Sequence, residues 1–115
     1  MKAVAGGGAL DGALAALADP LRRRTIELLT QRPHRAGELA DVLEVAPPTM
    51  SKHLRILREG GLVTDTQPDF DSRVRVYELC DEPFRNLRQW LERAERGWSQ
   101  QLEAFAEHVR KRNET

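Results

Sequence analysis

The 115-residue chain carries 18 lysine and arginine residues and 18 aspartate and glutamate residues, so its net charge excludes a strongly basic or strongly acidic protein. This length fits one compact domain, and the single cysteine, Cys80, excludes an intramolecular disulfide and a metal site made of one chain's cysteines. No apolar run approaches the roughly 20 residues of a membrane span, and the first residues lack a signal-peptide pattern. We therefore expect a cytoplasmic protein without a membrane partner.

The start of the chain predicts a disordered segment and two helices. Met1–Gly8 ends in three consecutive glycines and is expected to be disordered, whereas residues 9–112 are expected to form a single domain. Ala9–Leu17 is rich in alanine and leucine, which predicts a first helix. Asp19 is a suitable cap and Pro20 fits a first helical position, so a second helix is predicted from there to about residue 31.

Three consecutive arginines, Arg22–Arg24, fall in the first turn of this second helix. The helix dipole disfavours positive charge at that end. The unfavourable position suggests another use for the charges, either in contact with phosphate or opposite acidic groups of a partner helix. The alternative is an ordinary solvated face.

Two further helices are predicted after Pro33, which interrupts the chain. Ala36–Leu43 has the apolar spacing of a short helix, and a tight turn through Glu44–Ala46 follows it. Pro47 then opens the next helix, since proline is tolerated at the first helical position. The predicted arrangement, two short helices joined by a tight turn, is typical of a helix-turn-helix.

The second of these helices has one apolar face and one basic face. Its apolar stripe is formed by Met50, Leu54 and Leu57, and Gly60 and Gly61 end the helix. The opposite face carries Pro48, Ser51, Lys52 and Arg55. A helix with such an open face suits the major groove of DNA, which admits one α-helix.

A β-hairpin is predicted after the helix-turn-helix, in the position of a wing. Leu62–Thr66 and Arg73–Leu79 are β-prone runs, and the turn-rich segment Gln67–Ser72 lies between them. His34 lies in a loop bounded by proline, and we expect its side chain to be exposed.

A last helix, opened by Pro83, is predicted from Phe84 to about Arg112 and is long for so small a domain. Its apolar stripe is too extensive for a core of short helices and a hairpin, so we expect it to pack on another chain together with the first helix. The alternative is that Trp90 and Trp98 fill the chain's own core. The predicted dimer interface comprises Leu10, Leu14, Leu17, Leu87, Leu91, Ala94, Trp98, Leu102, Phe105 and Val109. The predicted fold class is mainly α with a small β-hairpin, a dimeric winged helix-turn-helix.

Four stretches, in order along the chain, resemble the ArsR/SmtB family of bacterial winged-helix repressors. They are ALADPLRRRTIELL (Ala16–Leu29), AGELADVL (Ala36–Leu43), PPTMSKHLRILREGGLV (Pro47–Val63) and RVYEL (Arg75–Leu79). The resemblance implies a homodimeric repressor that binds an operator in double-stranded DNA and leaves it when an effector binds. The predicted DNA-binding residues are Pro47, Pro48, Thr49, Ser51, Lys52, His53 and Arg55 on the recognition helix and Arg73 and Arg75 on the wing.

The chain departs from the metal-sensing members of this family. Glu38–Leu43 matches their paired-cysteine motif but contains no cysteine, and the last helix carries only His108 where other members bind zinc. The wing tip has Asp69, Phe70 and Asp71 in place of basic residues and glycine, which predicts weaker contact with phosphate. We therefore predict no metal and no cofactor, and the effector stays unidentified.

Several alternatives stay open. His53 either contacts DNA or fills space beside the helix-turn-helix turn, and Cys80 is interpreted as a small buried residue rather than a redox sensor. No nucleophile lies in a recognisable catalytic motif, and no glycine-rich phosphate loop follows a strand, so an enzyme is not expected. The alternative function is a winged-helix module that binds acidic proteins through the same basic face.

Overall fold

The computed structural model describes residues 5–67 and 74–114, with side chains from Gly8 onward. The helices of this part are α1 (Ala5–Ala16), α2 (Pro20–Gln31), α3 (Ala36–Leu43), α4 (Pro47–Glu59) and α5 (Asp81–Glu114), and its strands are β1 (His34–Arg35), β2 (Val63–Thr66) and β3 (Val76–Leu79). The chain divides into an N-terminal unit up to Phe84 and a C-terminal unit from Arg85. None of the described helices combines the length and the apolar character needed to cross a membrane. The predicted fold class, a mainly α winged helix-turn-helix, is confirmed.

The start of α2 is the one that the sequence predicts. One carboxylate oxygen of Asp19 accepts hydrogen bonds from the backbone N–H groups of Leu21 and Arg22, at 2.8 and 3.2 Å. Pro20 occupies the first turn, where its missing N–H leaves no bond unmade. The cap and the proline together fix the point at which the helix begins.

The first helix begins earlier than expected. α1 starts at Ala5 rather than Ala9, so residues 5–8 are helical in the structure although we expected disorder there. Each glycine costs about 1 kcal/mol relative to alanine in a helix, but propagation from the alanine-rich turns adds one hydrogen bond per residue. Residues 1–4, which share that expectation, lie outside the described residues.

The core of the N-terminal unit forms where its four helices meet β2. The apolar stripe predicted for α4 is confirmed, because Met50, Leu54 and Leu57 are all buried. α1 contributes Ala13 and Ala16 to this core, whereas its Leu14 is exposed. The buried apolar residues are Ala13, Ala16, Ile26, Leu29, Leu39, Ala40, Leu43, Met50, Leu54, Leu57, Leu62 and Val63.

Two glycines shape the end of α4. A Cβ atom at Gly60 would lie 3.1 Å from the Cβ of Ala16 and 3.2 Å from the carbonyl oxygen of Gly12, so this position allows α1 to approach α4 closely. Gly61 has a φ of +79°, a left-handed conformation that glycine adopts without steric cost. The helix therefore ends as predicted, and the chain turns into β2.

The sheet contains a strand that the sequence analysis missed. Its order is β1-β3-β2, with both pairings antiparallel, and β1 joins it through the pairs His34↔Tyr77 and Arg35↔Val76. The expectation that His34 is exposed is wrong, since this residue is 4% exposed and its Nδ1 lies 2.8 Å from the carbonyl oxygen of Arg32. Pro33 ends α2 but leaves the chain extended, and an extended segment beside an open strand edge pairs with it.

The C-terminal unit consists of most of α5. This helix begins at Asp81, so Pro83 lies within its first turn rather than before it. No described residue of α5 is buried, and neither Trp90 nor Trp98 fills a core. The exposed large apolar residues are Trp90, Leu91, Trp98, Leu102, Phe105 and Val109.

Candidate nucleic-acid interface

The helix-turn-helix is formed by α3 and α4 packed against one another. Glu44 makes the turn with a φ of 56°, a left-handed conformation that is uncommon for a residue with a side chain. Its N–H group points back to the carbonyl oxygens of Ala40 and Asp41, and the N–H of Val45 donates to Ala40 at 3.0 Å. These bonds end α3, and the first turn of α4 that follows is exposed to solvent.

The open face of α4 is the one predicted from the helical period. Met50 and Leu54 face the core, whereas the residues between them point to solvent because a helix repeats every 3.6 residues. His53 is the exception among the predicted DNA-binding residues of this helix, since it is half-buried. The exposed residues of α4 are Pro47, Pro48, Thr49, Ser51, Lys52, Arg55, Arg58 and Glu59.

A surface groove with a volume of about 610 Å³ lies between α4 and β3. It brings together predicted residues of the recognition helix and the predicted wing residue Arg75, although 20 positions separate Arg55 from Arg75 in the sequence. Arg58 and Tyr77 belong to the same surface and were not predicted. The complete lining is Pro48, Ser51, Lys52, Arg55, Arg58, Arg75 and Tyr77. We call this set the groove surface.

The other predicted wing residue, Arg73, lies outside the described residues. The same is true of Asp69, Phe70 and Asp71, on which the expectation of weak phosphate contact rested. The described part of the wing therefore includes β2, β3 and Arg75, which directly precedes Val76, the first residue of β3.

One carboxylate pairs with two of the four cations of the groove surface. Asp65 in β2 accepts a hydrogen bond from Arg75 at 2.7 Å and another from Arg58 at 3.3 Å. Burial alone would raise the pKa of Asp65, but the hydrogen bonds from Arg75 and Arg58 outweigh it and hold the pKa below its ordinary value. The sequence analysis missed this residue because the three partners come from α4, β2 and the edge of β3.

Arg22 and Arg23 have a use that the sequence analysis did not consider. Nε of Arg22 lies 2.6 Å from the carbonyl oxygen of Ala16, and Nη1 of Arg23 lies 2.8 Å from that of Leu17. The last carbonyl groups of a helix lack backbone partners and form the negative end of its dipole. The two arginines therefore stabilise the end of α1 and join it to α2.

Arg22 also reaches the recognition helix. Its Nη1 lies 3.1 Å from Nδ1 of His53, and because a guanidinium group only donates, this ring nitrogen accepts. One side of the His53 ring is therefore occupied inside the N-terminal unit, whereas contact of His53 with DNA stays a prediction.

The remaining candidate residues in the described part of the chain form no metal site. Among residues 5–67 and 74–114 no group of three or more histidine, cysteine, aspartate or glutamate side chains is placed to hold a metal ion. Burial raises the pKa of the Cys80 thiol, and the nearby Glu78 and Asp81 raise it further. A raised pKa disfavours the reactive thiolate. Cys80 is half-buried rather than buried as expected.

Comparison with known proteins gives consistent matches. A family model described as a helix-turn-helix domain matches residues 17–66. The HTH-type transcriptional regulator Rv2034 of Mycobacterium tuberculosis is 37% identical over 99 residues, which cover 86% of this chain and 87% of that protein. The transcriptional repressor SdpR of Bacillus subtilis is 34% identical over 50 residues, or 44% of this chain and 56% of its own.

Solved structures agree with the sequence matches. One described as an ArsR family transcriptional regulator is 32% identical, with a TM-score of 0.70, and the match covers 79% of this chain and 91% of that one. An ArsR-like transcriptional regulator from Rhodococcus has a TM-score of 0.72 and 27% identity, with 89% and 93% of the two chains covered. The similarity therefore extends over most of the chain as well as the helix-turn-helix.

Proposed function

This chain belongs to the ArsR family of winged-helix, DNA-binding transcriptional regulators, which are not enzymes, and from that premise we propose that two copies bind one inverted-repeat operator. Each copy reads one half-site through α4, with the wing on the DNA backbone. The observation that carries this proposal is the groove surface, where four cationic side chains line one concavity beside an exposed helix. As a DNA-bound regulator, the protein acts in the cytoplasm, where the chromosome lies.

The residues of the groove surface divide by chemistry into two roles. Lys52, a flexible point charge, is suited to phosphate contact, and Arg75 contacts the backbone from the wing. Ser51 lies one position away on the exposed face of α4 and offers a hydroxyl that donates and accepts, which suits a base edge in the major groove. In this proposal the phosphate contacts position the protein on the duplex, and the base contact reads the sequence.

The proposed homodimer rests on the exposed apolar stripe of α5. Leu102 and Phe105 are 64% and 65% exposed, and a contiguous stripe of this kind usually marks an association surface. Leu14 of α1 is also exposed, whereas Leu17 is half-buried against the core and contributes less to the predicted interface. A two-fold pair places the recognition helices roughly 34 Å apart, the distance between successive major grooves.

The experiment that tests DNA reading is selection of bound duplexes from a random pool by the purified full chain. We expect one inverted repeat to be enriched. The Lys52→Ala variant should bind every duplex more weakly and reduce the slope of log affinity against log salt by about one unit. The Ser51→Ala variant should instead relax the preference at one position of each half-site.

A matched control is Lys111→Ala, which removes the same charge from the last turn of α5 and should change neither property. Absence of any enriched sequence, with binding of acidic proteins instead, would favour the protein-interaction alternative and sink the operator proposal.

We also propose that release from DNA needs no metal ion. Zinc and thiophilic metals bind sites of three or four converging ligands, and Glu38 and Asp41 on α3 offer only hard oxygen atoms. Zinc, cadmium, copper(I) and arsenite are therefore expected to leave the operator complex intact at stoichiometric concentration, as measured by fluorescence anisotropy. Release by any of them that a chelator reverses would contradict the proposal.

A further inference from the structure

Asp65 lies under two arginines that come from opposite sides of the groove surface. It pairs with Tyr77 across β2 and β3, and therefore shares the face on which Tyr77 lines the groove. The Asp65 side chain is 14% exposed, whereas those of Arg58 and Arg75 are 44% and 49% exposed. The carboxylate is thus largely covered, and each arginine side chain above it keeps about half of its surface open.

The two carboxylate oxygens divide the contacts between them. Oδ1 accepts from Nη1 of Arg58, and Oδ2 accepts from Nη1 of Arg75. A guanidinium group has five N–H donors, so each arginine retains N–H groups that can donate to a phosphate. The cluster of two arginines and one carboxylate carries one net positive charge instead of two.

We infer that Asp65 is a positioning residue that determines specificity: it fixes Arg58 and Arg75 in one arrangement that fits the phosphates of a correctly registered operator. This inference rests on the proposed function, since it concerns the same groove surface. Phosphate contacts carry no base information but set the register in which base contacts are made. A pair of arginines that is held in place before binding also loses less side-chain entropy on contact.

The covered carboxylate also disfavours the wrong register. A phosphate that lies away from the preset position draws one arginine from Asp65 and so breaks one of the two ion pairs of this carboxylate. The lost charge-assisted hydrogen bond raises the free energy of the wrongly registered complex. Non-specific duplexes therefore bind less tightly than two free arginines would bind them.

The test compares two duplexes of equal length and base composition, one recovered by selection and one scrambled, across a range of salt concentrations. In the full chain, Asp65→Asn keeps the shape of the side chain and removes its charge. We expect the scrambled duplex to bind more tightly, with a salt slope steeper by about one unit. The ratio of selected to scrambled affinity is expected to fall about fivefold, the fold-change that corresponds to the net loss of one hydrogen bond.

The matched control is Glu78→Gln. It removes the same charge from an exposed position of β3, on the face opposite Tyr77, and should leave the ratio unchanged. A second variant, Arg58→Gln, pairs Asp65 with Arg75 alone. It should reduce the salt slope by about one unit and also lower the ratio.

Thermal unfolding followed by circular dichroism reports whether each variant is folded. If Asp65→Asn were not folded, Arg58→Gln would decide the matter, because Arg58 is exposed. An unchanged ratio in the folded variants, or an equal loss of affinity for both duplexes at an unchanged slope, would overturn the inference. A wild-type protein that does not distinguish the duplexes would instead overturn the proposed function, and this inference with it.

Discussion

Helices α4 and α5 carry apolar residues at the same spacing and differ in what covers them. In α4, Met50 and Leu57 are 1% and 0% exposed, whereas in α5, Trp98 and Phe105 are 51% and 65% exposed. Apolar periodicity therefore predicts a helix and the direction of its apolar face, but not the partner that buries this face. In the N-terminal unit the partner is the chain itself, and for α5 we propose a second copy.

The largest expected effect is on the exposed stripe. Trp98→Glu should convert the proposed dimer to a monomer and abolish operator binding, because a charge in an apolar interface has no compensating partner. Helix content should stay close to that of the wild type. Sedimentation velocity, anisotropy with the selected duplex and circular dichroism measure the three properties.

The control for this variant is Gln100→Glu, which adds a charge two residues along the same helix, away from the stripe. A wild-type chain that sediments as a monomer at micromolar concentration would contradict the proposal that a second copy covers the α5 stripe.

The next effect concerns the covered stripe. Leu57→Ala should lower the free energy of unfolding by about 2–5 kcal/mol, because it leaves a cavity at a fully buried position. Val42→Ala, at a position that is 56% exposed on α3, should change it by less than about 0.5 kcal/mol. Urea unfolding at a fixed protein concentration measures both, and similar losses for the two variants would argue against the packing described for α4.

A smaller effect is expected at the junction of α1 and α2. Arg22→Ala removes the hydrogen bonds to Ala16 and His53 and should lower the free energy of unfolding by about 1–2 kcal/mol, a range typical of half-buried charged donors. Arg24→Ala, which removes an exposed arginine two positions along α2, serves as the control. Equal stability of the two variants would show that the hydrogen bonds of Arg22 do not contribute to the free energy of unfolding.

The smallest effect is a dependence on pH within the N-terminal unit. Hydrogen bonds from the Arg35 N–H and from Arg32 hold the pKa of Glu38 below its ordinary value of 4.5. The folded state thus binds this proton more weakly, so the stability from Glu38 is present above that value and is lost as the pH falls through the lowered one. The urea midpoint of Glu38→Gln should fall less between about pH 6 and about pH 3 than that of the wild type. An equal fall in the urea midpoints of the two proteins would contradict this role of Glu38.

Local patterns were sufficient to predict most helices and the position of the wing. Asp19 with Pro20, and Gly60 with Gly61, are signals within a few residues, and the structure uses each as predicted. The pairing of β1 with β3 was missed because it joins segments about 40 positions apart, and a two-residue strand has no period to detect. The same reason applies to the groove surface, since no spacing in the sequence indicates that Asp65 lies between Arg58 and Arg75.

The short distance between α1 and α4 has a mechanical consequence. At Gly60 the two helices meet backbone to backbone, with Gly12 and Ala16 on the other side and no long side chain to absorb a displacement. A side chain at position 60 would push the two helices apart, so the seating of the helix that carries Ser51 and Lys52 depends directly on where α1 lies.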